Sequence, residues 1–167
     1  MNRRDLLRAG VAVGALASGG TLARVAVASA APFYDLEFPD AAGQPRRVSE
    51  FLGKPMVLNF WATWCPPCVK EMPDLDYLQS KYPGVTVVGL AVDTADNVRK
   101  FSEKVPVSYP VLVAGHGGIQ LMKDMGNPRG GLPYTILFDA QGRPVQEFIG
   151  QINRDELDQV LASSATV

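Results

Sequence analysis

Cys65 and Cys68 are the only two cysteines of the 167-residue chain, and Pro66 and Pro67 separate them. Two thiols three residues apart can form a structural disulfide, contribute to a metal site, or exchange a disulfide with another molecule. A structural bridge here closes a very short loop, so in the chain-entropy view it stabilises far less than one spanning ~15 residues. A zinc site lacks ligands, because the sole histidine, His116, brings the set to three where a structural site takes four.

Exchange accounts for more of the local sequence. The run Pro55 to Trp61 is short and nearly all apolar, the pattern of a strand buried on both faces. After Cys65, the residues Val69, Met72, Leu75, Leu78 and Tyr82 recur at helical spacing, with Pro66 and Pro67 tolerable in the first turn. The cysteines therefore fall where a strand ends and a helix begins. Unpaired amides and the helix dipole favour a thiolate there, and the thiolate is the nucleophile. Cys65, the outer residue, is the expected attacking thiol, and Cys68, one turn in, the resolving one. Pro73, further along, is expected to kink the helix.

The remaining elements build a layered α/β domain. Short strands are expected from Phe33 to Pro39 and around Arg46–Val48, then one helical turn capped by Ser49. A buried strand follows over Val85 to Val92, a helix over Asp96 to Val105 with Val98 and Phe101 on one face, and a strand over Tyr109 to Val113. The helix Ile119 to Met125 precedes a hairpin formed by Tyr134–Phe138 and Val145–Ile149, and Asn153 caps a closing helix carrying Leu157, Val160 and Leu161.

The first thirty residues differ from the rest. Arg3, Arg4 and Arg8 precede an Ala/Gly/Val/Leu run, and Ala28-Ser29-Ala30 supplies a small-residue cleavage pattern, which predicts an export signal over 1–30 and a mature domain over 31–167. The Arg3-Arg4 pair resembles the twin-arginine signal; a general secretory signal is the competing reading. The interrupted run is too short for a spanning helix, which disfavours a membrane anchor. Both export routes predict a periplasmic location. Residues 31–167 hold 12 basic and 16 acidic side chains, a net charge near −4. That balance, without a block of like charges, disfavours nucleic-acid binding.

From Phe33 to Leu161 the sequence resembles the thioredoxin-like proteins of the TlpA, ResA and cytochrome c maturation (CcmG/DsbE-like) group. Four segments carry the likeness. Val57 to Cys68 matches the active-site signature, and Glu71 matches an acidic residue near the thiols. Gly131-Leu132-Pro133-Tyr134-Thr135 matches the cis-proline segment, and Val85 to Val113 matches a strand–helix insertion. The resemblance implies a thioredoxin fold: a central mixed sheet flanked by helices, with an N-terminal strand extension and that insertion. It implies a redox-active Cys65–Cys68 pair assisted by Glu71. It also implies a partner-binding surface of Trp64, Pro66, Pro67, Leu132 and Pro133, where a cis Leu132–Pro133 backbone beside Cys65 pairs with an extended peptide. Neither a cofactor nor a metal is called for.

The expected partners are exported proteins bearing disulfides, such as apocytochrome c, a copper-centre assembly protein or mis-oxidised periplasmic proteins, with a membrane electron donor of the DsbD/CcdA kind. Two features favour reduction. Pro66 and Pro67 lack amide hydrogens, so Cys65 has fewer donors to stabilise its thiolate, and an ionised Glu71 would disfavour a neighbouring thiolate. The alternative place for Glu71 is a solvated helix face beside Lys70. A peroxiredoxin-like peroxidase requires a threonine three residues before the reactive cysteine, where this chain has Ala62. A Sco-like copper carrier requires three residues between its cysteines and a histidine near the cis-proline; His116 lies about seventeen residues before Pro133. His116 is expected in a solvated loop.

Overall fold

The computed structural model describes residues 31–164, so the export signal expected over 1–30 lies outside the described residues. Five strands form one sheet in the order β5-β4-β3-β6-β7. The central strand β3 (Met56–Trp61) is buried at every position, as its apolar run requires. It pairs in parallel with β4 (Thr86–Ala91) and antiparallel with β6 (Tyr134–Phe138). β5 (Val111–Val113) extends the sheet in parallel beyond β4, and β7 (Pro144–Ile149) closes the other edge antiparallel to β6.

Period-two alternation along β3 divides the core. Met56, Leu58 and Phe60 join Phe33, Leu90, Met122 and Phe138 on one face. Val57 points to the other, with Leu75 and Leu78 of α2 (Pro66–Lys81) and Leu157 and Leu161 of α5 (Arg154–Ser164). Near the sheet's end Trp61 packs with Cys65, Cys68, Met72, Ala91 and Val98, the last from α3 (Ala95–Ser102). The Trp61 indole lies over Gly89, where a Cβ would approach its Nε1 to 3.1 Å, so the close packing depends on glycine. α4 (Gly118–Asp124) covers the first face.

Several local expectations are corrected. The described residues open on a helical turn, α1 (Ala31–Tyr34), and the extended pairing that follows is β1 (Glu37–Pro39) against β2 (Pro45–Arg47) with a single bridge from Asp40 to Leu112. The reason is aromatic packing: Phe33 and Tyr34 are both buried and both meet Phe138, at 5.9 and 5.8 Å between ring centroids. The next turn (Val48–Phe51) is 3₁₀ and is capped at Arg47 rather than Ser49, with Glu50 accepting from the Arg47 N–H. α3 starts after Thr94, whose hydroxyl accepts the Asn97 N–H, and ends at Ser102, three residues short of the expected Val105. α2 continues through Pro73, which faces solvent. Asn153 accepts the N–H groups of Asp155 and Glu156, as expected of the α5 cap. Among the described residues no helix is long and apolar enough to cross a membrane.

Candidate active site

The junction of β3 and α2 places Cys65 at the N-cap of α2, with Pro66 and Pro67 as its first helical residues. Its backbone C=O accepts the Val69 N–H, and its side chain takes no capping hydrogen bond. Cys65 and Cys68 are joined as a disulfide, with Cα atoms 5.3 Å apart. Cys65 is 4 % exposed and Cys68 fully buried, an asymmetry that follows from their places at the start and one turn into the helix. Trp64 stands beside them 64 % exposed. The Leu132–Pro133 peptide bond is cis, and Leu132 packs against the cluster holding both cysteines. The Pro133 C=O accepts the Gly150 N–H.

Glu71 is fully buried, which overturns the solvated alternative. It lies on the same helix face as Cys68, three residues on. The Asn59 amide of β3 donates to Oε1 at 2.7 Å, and the Ile152 N–H ahead of α5 donates to Oε2 at 2.9 Å. Asn59 also donates to the Thr135 hydroxyl, its cross-strand neighbour in β6. Burial raises the Glu71 carboxyl to about 7 from an ordinary 4.5, against the two hydrogen bonds that favour its charge; the Asp74 carboxylate adds to the rise. The group can therefore hold or release a proton near neutrality, one turn from a buried sulfur.

Two residues of this site escaped the sequence reading. Asn59 was legible as the one amide in an otherwise apolar strand, a polar group that must find partners once buried. Asp93, two residues beyond β4, carried no such signal. It is 3 % exposed and binds the loop before Cys65: the Thr63 hydroxyl donates to Oδ2 at 2.5 Å and the Thr63 N–H at 3.1 Å. Its Oδ1 accepts from the Thr94 N–H and the Asn97 amide. Burial pushes Asp93 up, but these four hydrogen bonds outweigh it and hold the carboxyl below its usual range.

The residues of the rival readings are also placed. Ala62 is fully buried where a peroxidase would need its threonine. His116 is exposed in a 3₁₀ turn, Gly115–Gly117, on the loop after β5.

A disulfide at the N-terminus of the helix that follows the central strand, facing a cis-proline segment, defines a thioredoxin-like thiol–disulfide oxidoreductase. Residues 27–146 match the AhpC/TSA family, and the chain belongs to it. Over 142 residues it is 34 % identical to the thiol-disulfide oxidoreductase ResA of Geobacillus thermodenitrificans, covering 83 % of this chain and 78 % of that one. Among solved structures, a thioredoxin-related protein from Neisseria meningitidis serogroup B aligns with a TM-score of 0.67 and 32 % identity, over 78 % of this chain and all of its own. A secreted thiol-disulfide isomerase from Corynebacterium glutamicum aligns with a TM-score of 0.70 and 25 % identity, over 80 % of this chain and 84 % of that one.

Proposed function

We propose that the protein is an exported reductase of disulfides in other exported proteins, with Cys65 as nucleophile, Cys68 as resolving thiol and Glu71 as the proton-holding group. The observation that carries the direction is the environment of the pair. Two prolines remove two of the amide donors of the first helical turn beside Cys65, and a buried carboxyl with an elevated pKa sits three residues beyond Cys68. Both disfavour thiolate in the reduced form. A couple whose dithiol is poorly stabilised gives up its electrons readily.

In the reduced protein the Cys65 thiolate attacks a partner sulfur, forming a mixed disulfide and releasing the partner's other sulfur as a thiolate. Cys68 loses its proton and attacks Cys65 Sγ. The Cys65–Cys68 bond re-forms, the partner leaves as a dithiol, and two electrons and two protons have passed to it. Glu71, when ionised, is the acceptor closest along the helix for the Cys68 proton. The backbone at Leu132–Pro133, with Trp64, Pro66 and Pro67, forms the surface on which the partner's extended segment rests. A membrane donor of the DsbD/CcdA kind would restore the dithiol. The Arg-rich, Ala-rich start of the chain supports export, as does the likeness to a secreted relative. Apocytochrome c and a copper-centre assembly protein both present suitable disulfides.

Two measurements test this reading. The midpoint potential should lie nearer thioredoxin's ~−270 mV than the ~−120 mV of a strong periplasmic oxidant. Cys68→Ala expressed in the native compartment should accumulate mixed disulfides on Cys65; equal trapping by Cys65→Ala would overturn the assignment of the nucleophile.

A further inference from the structure

One residue before Cys65 the surface opens into a groove of about 340 Å³ lined by Thr63, Trp64, Asn97, Lys100, Phe101 and Lys104. Its walls are the active-site loop and the outward side of α3 with the turn that follows it: Asn97, Lys100 and Phe101 share a helical stripe, and Lys104 extends it in the turn after Ser102, where its N–H donates to the Phe101 C=O. Phe101 is half-buried against Trp61, 5.3 Å between ring centroids, so the floor is anchored in the core beneath the cysteines. Trp64, largely exposed, forms the opposite wall. The Thr63–Asp93–Asn97 hydrogen bonds join the two walls, which fixes the groove's width.

The rim is basic on a domain that is acidic as a whole. Residues 31–167 carry four more acidic than basic side chains, yet the two charges lining this groove are Lys100 and Lys104. Both are exposed, and neither has an ion pair among the described residues; Asp96 of the same helix is taken by Arg99, and Glu103 does not line the groove. Asp93 beneath is occupied by its four hydrogen bonds. Two unpaired ammonium groups above an aromatic floor suit a polypeptide segment carrying carboxylates, and the long-range attraction would speed its approach.

We propose that this groove selects the protein's substrates: disulfide-bearing polypeptides with acidic side chains close in sequence to the attacked cysteine. The inference rests on the disulfide-exchange reading above and deepens it. From Asn97 to Lys104 the chain runs along α3 to Ser102 and into a turn whose Lys104 and Val105 N–H groups both bond the Phe101 C=O, so the seven steps cover about 10 Å at close to the helical rise. An extended segment covers that in about three residues. The selected carboxylates therefore lie within about four positions of the cysteine that meets Cys65.

The test uses the reduced protein and three disulfide peptides identical except for two residues within four positions of the cysteine: Glu, Gln or Lys. Each rate is divided by the same preparation's rate with the neutral bis(2-hydroxyethyl) disulfide, which removes differences in intrinsic thiol reactivity. At low salt the Glu peptide should exceed the Lys peptide by about threefold to tenfold, the scale of one or two exposed charge pairs, and the advantage should collapse in high salt. In the double variant Lys100→Glu, Lys104→Glu the order should reverse. Equal normalised rates for the three peptides, or an unchanged order in the double variant, would overturn the groove's role while leaving disulfide exchange intact. Failure to react with any disulfide would overturn the exchange reading on which it rests.

Discussion

Replacing Glu71 by Gln should flatten the pH dependence of stability of the oxidised protein. In the folded chain the carboxyl titrates at about 7, and once unfolded it returns to its ordinary 4.5. A group whose folded value is raised favours the native state fully below the unfolded value and loses that contribution as pH rises through the folded one. The gap of about 2.5 pH units, at ~1.4 kcal/mol each, amounts to ~3 kcal/mol, nearly all of it lost between pH 4.5 and pH 7.5. The carboxyl is fully buried, so solvent screening does not reduce that figure. The assay is denaturant unfolding of both proteins across that range without reductant. The difference between them isolates residue 71, because the other titrations are common to both. Wild type should lose ~3 kcal/mol relative to Glu71→Gln as pH rises, and carboxyl carbon NMR should show Glu71 titrating near 7. Parallel pH profiles for the two proteins, or a Glu71 titration near 4.5, would refute the claim that burial outweighs the donors at Asn59 and Ile152.

Three further outcomes follow from the geometry. Thr63→Val should destabilise the oxidised fold by ~1 to 2 kcal/mol in denaturant unfolding, since it removes the hydroxyl donor and leaves the buried Asp93 charge with one partner fewer; Thr63→Ser, which keeps the donor, should stay near wild type. Thr135→Val should cost ~1 kcal/mol by removing the acceptor of the Asn59 amide, and calorimetry should place its Tm between wild type and Asn59→Leu. Leu157→Ala should cost ~2 to 5 kcal/mol, because this fully buried residue joins α5 to Leu75 and Leu78 of α2; a loss under ~1 kcal/mol would mean that α5 contributes little to the core.

The order of elements and the position of the cysteines were legible because they rest on periodicity and punctuation. Pro55 to Trp61 reads as a doubly buried strand from its apolar run, and the turn to helix is marked by the prolines at 66 and 67. What escaped depends on tertiary packing. The run from Phe33 to Pro39 mixes apolar residues with Asp35 and Glu37 as a strand would, yet Phe33 and Tyr34 are both drawn into one aromatic cluster with Phe138, more than a hundred residues away. Glu71 looks identical in sequence whether it faces water or the core. Only the closure of α5 over α2, which brings the Ile152 N–H to its second oxygen, settles the matter. Asp93 was hidden for the same reason: its four donors come from the loop before Cys65 and the first turn of α3, which only the parallel pairing of β3 and β4 brings together.

The separation between β3–α2 and α3 has an engineering consequence. Electron transfer is vested in the junction of β3 and α2, whereas the basic rim of the groove comes from α3 and the turn after it, in the connection that links β4 to the edge strand β5. The rim can thus be rewritten at position 100 of α3 and position 104 of the following turn while the inward Val98 and the Asp93–Asn97 tie stay in place. The chain offers a scaffold on which client choice can be exchanged independently of redox chemistry.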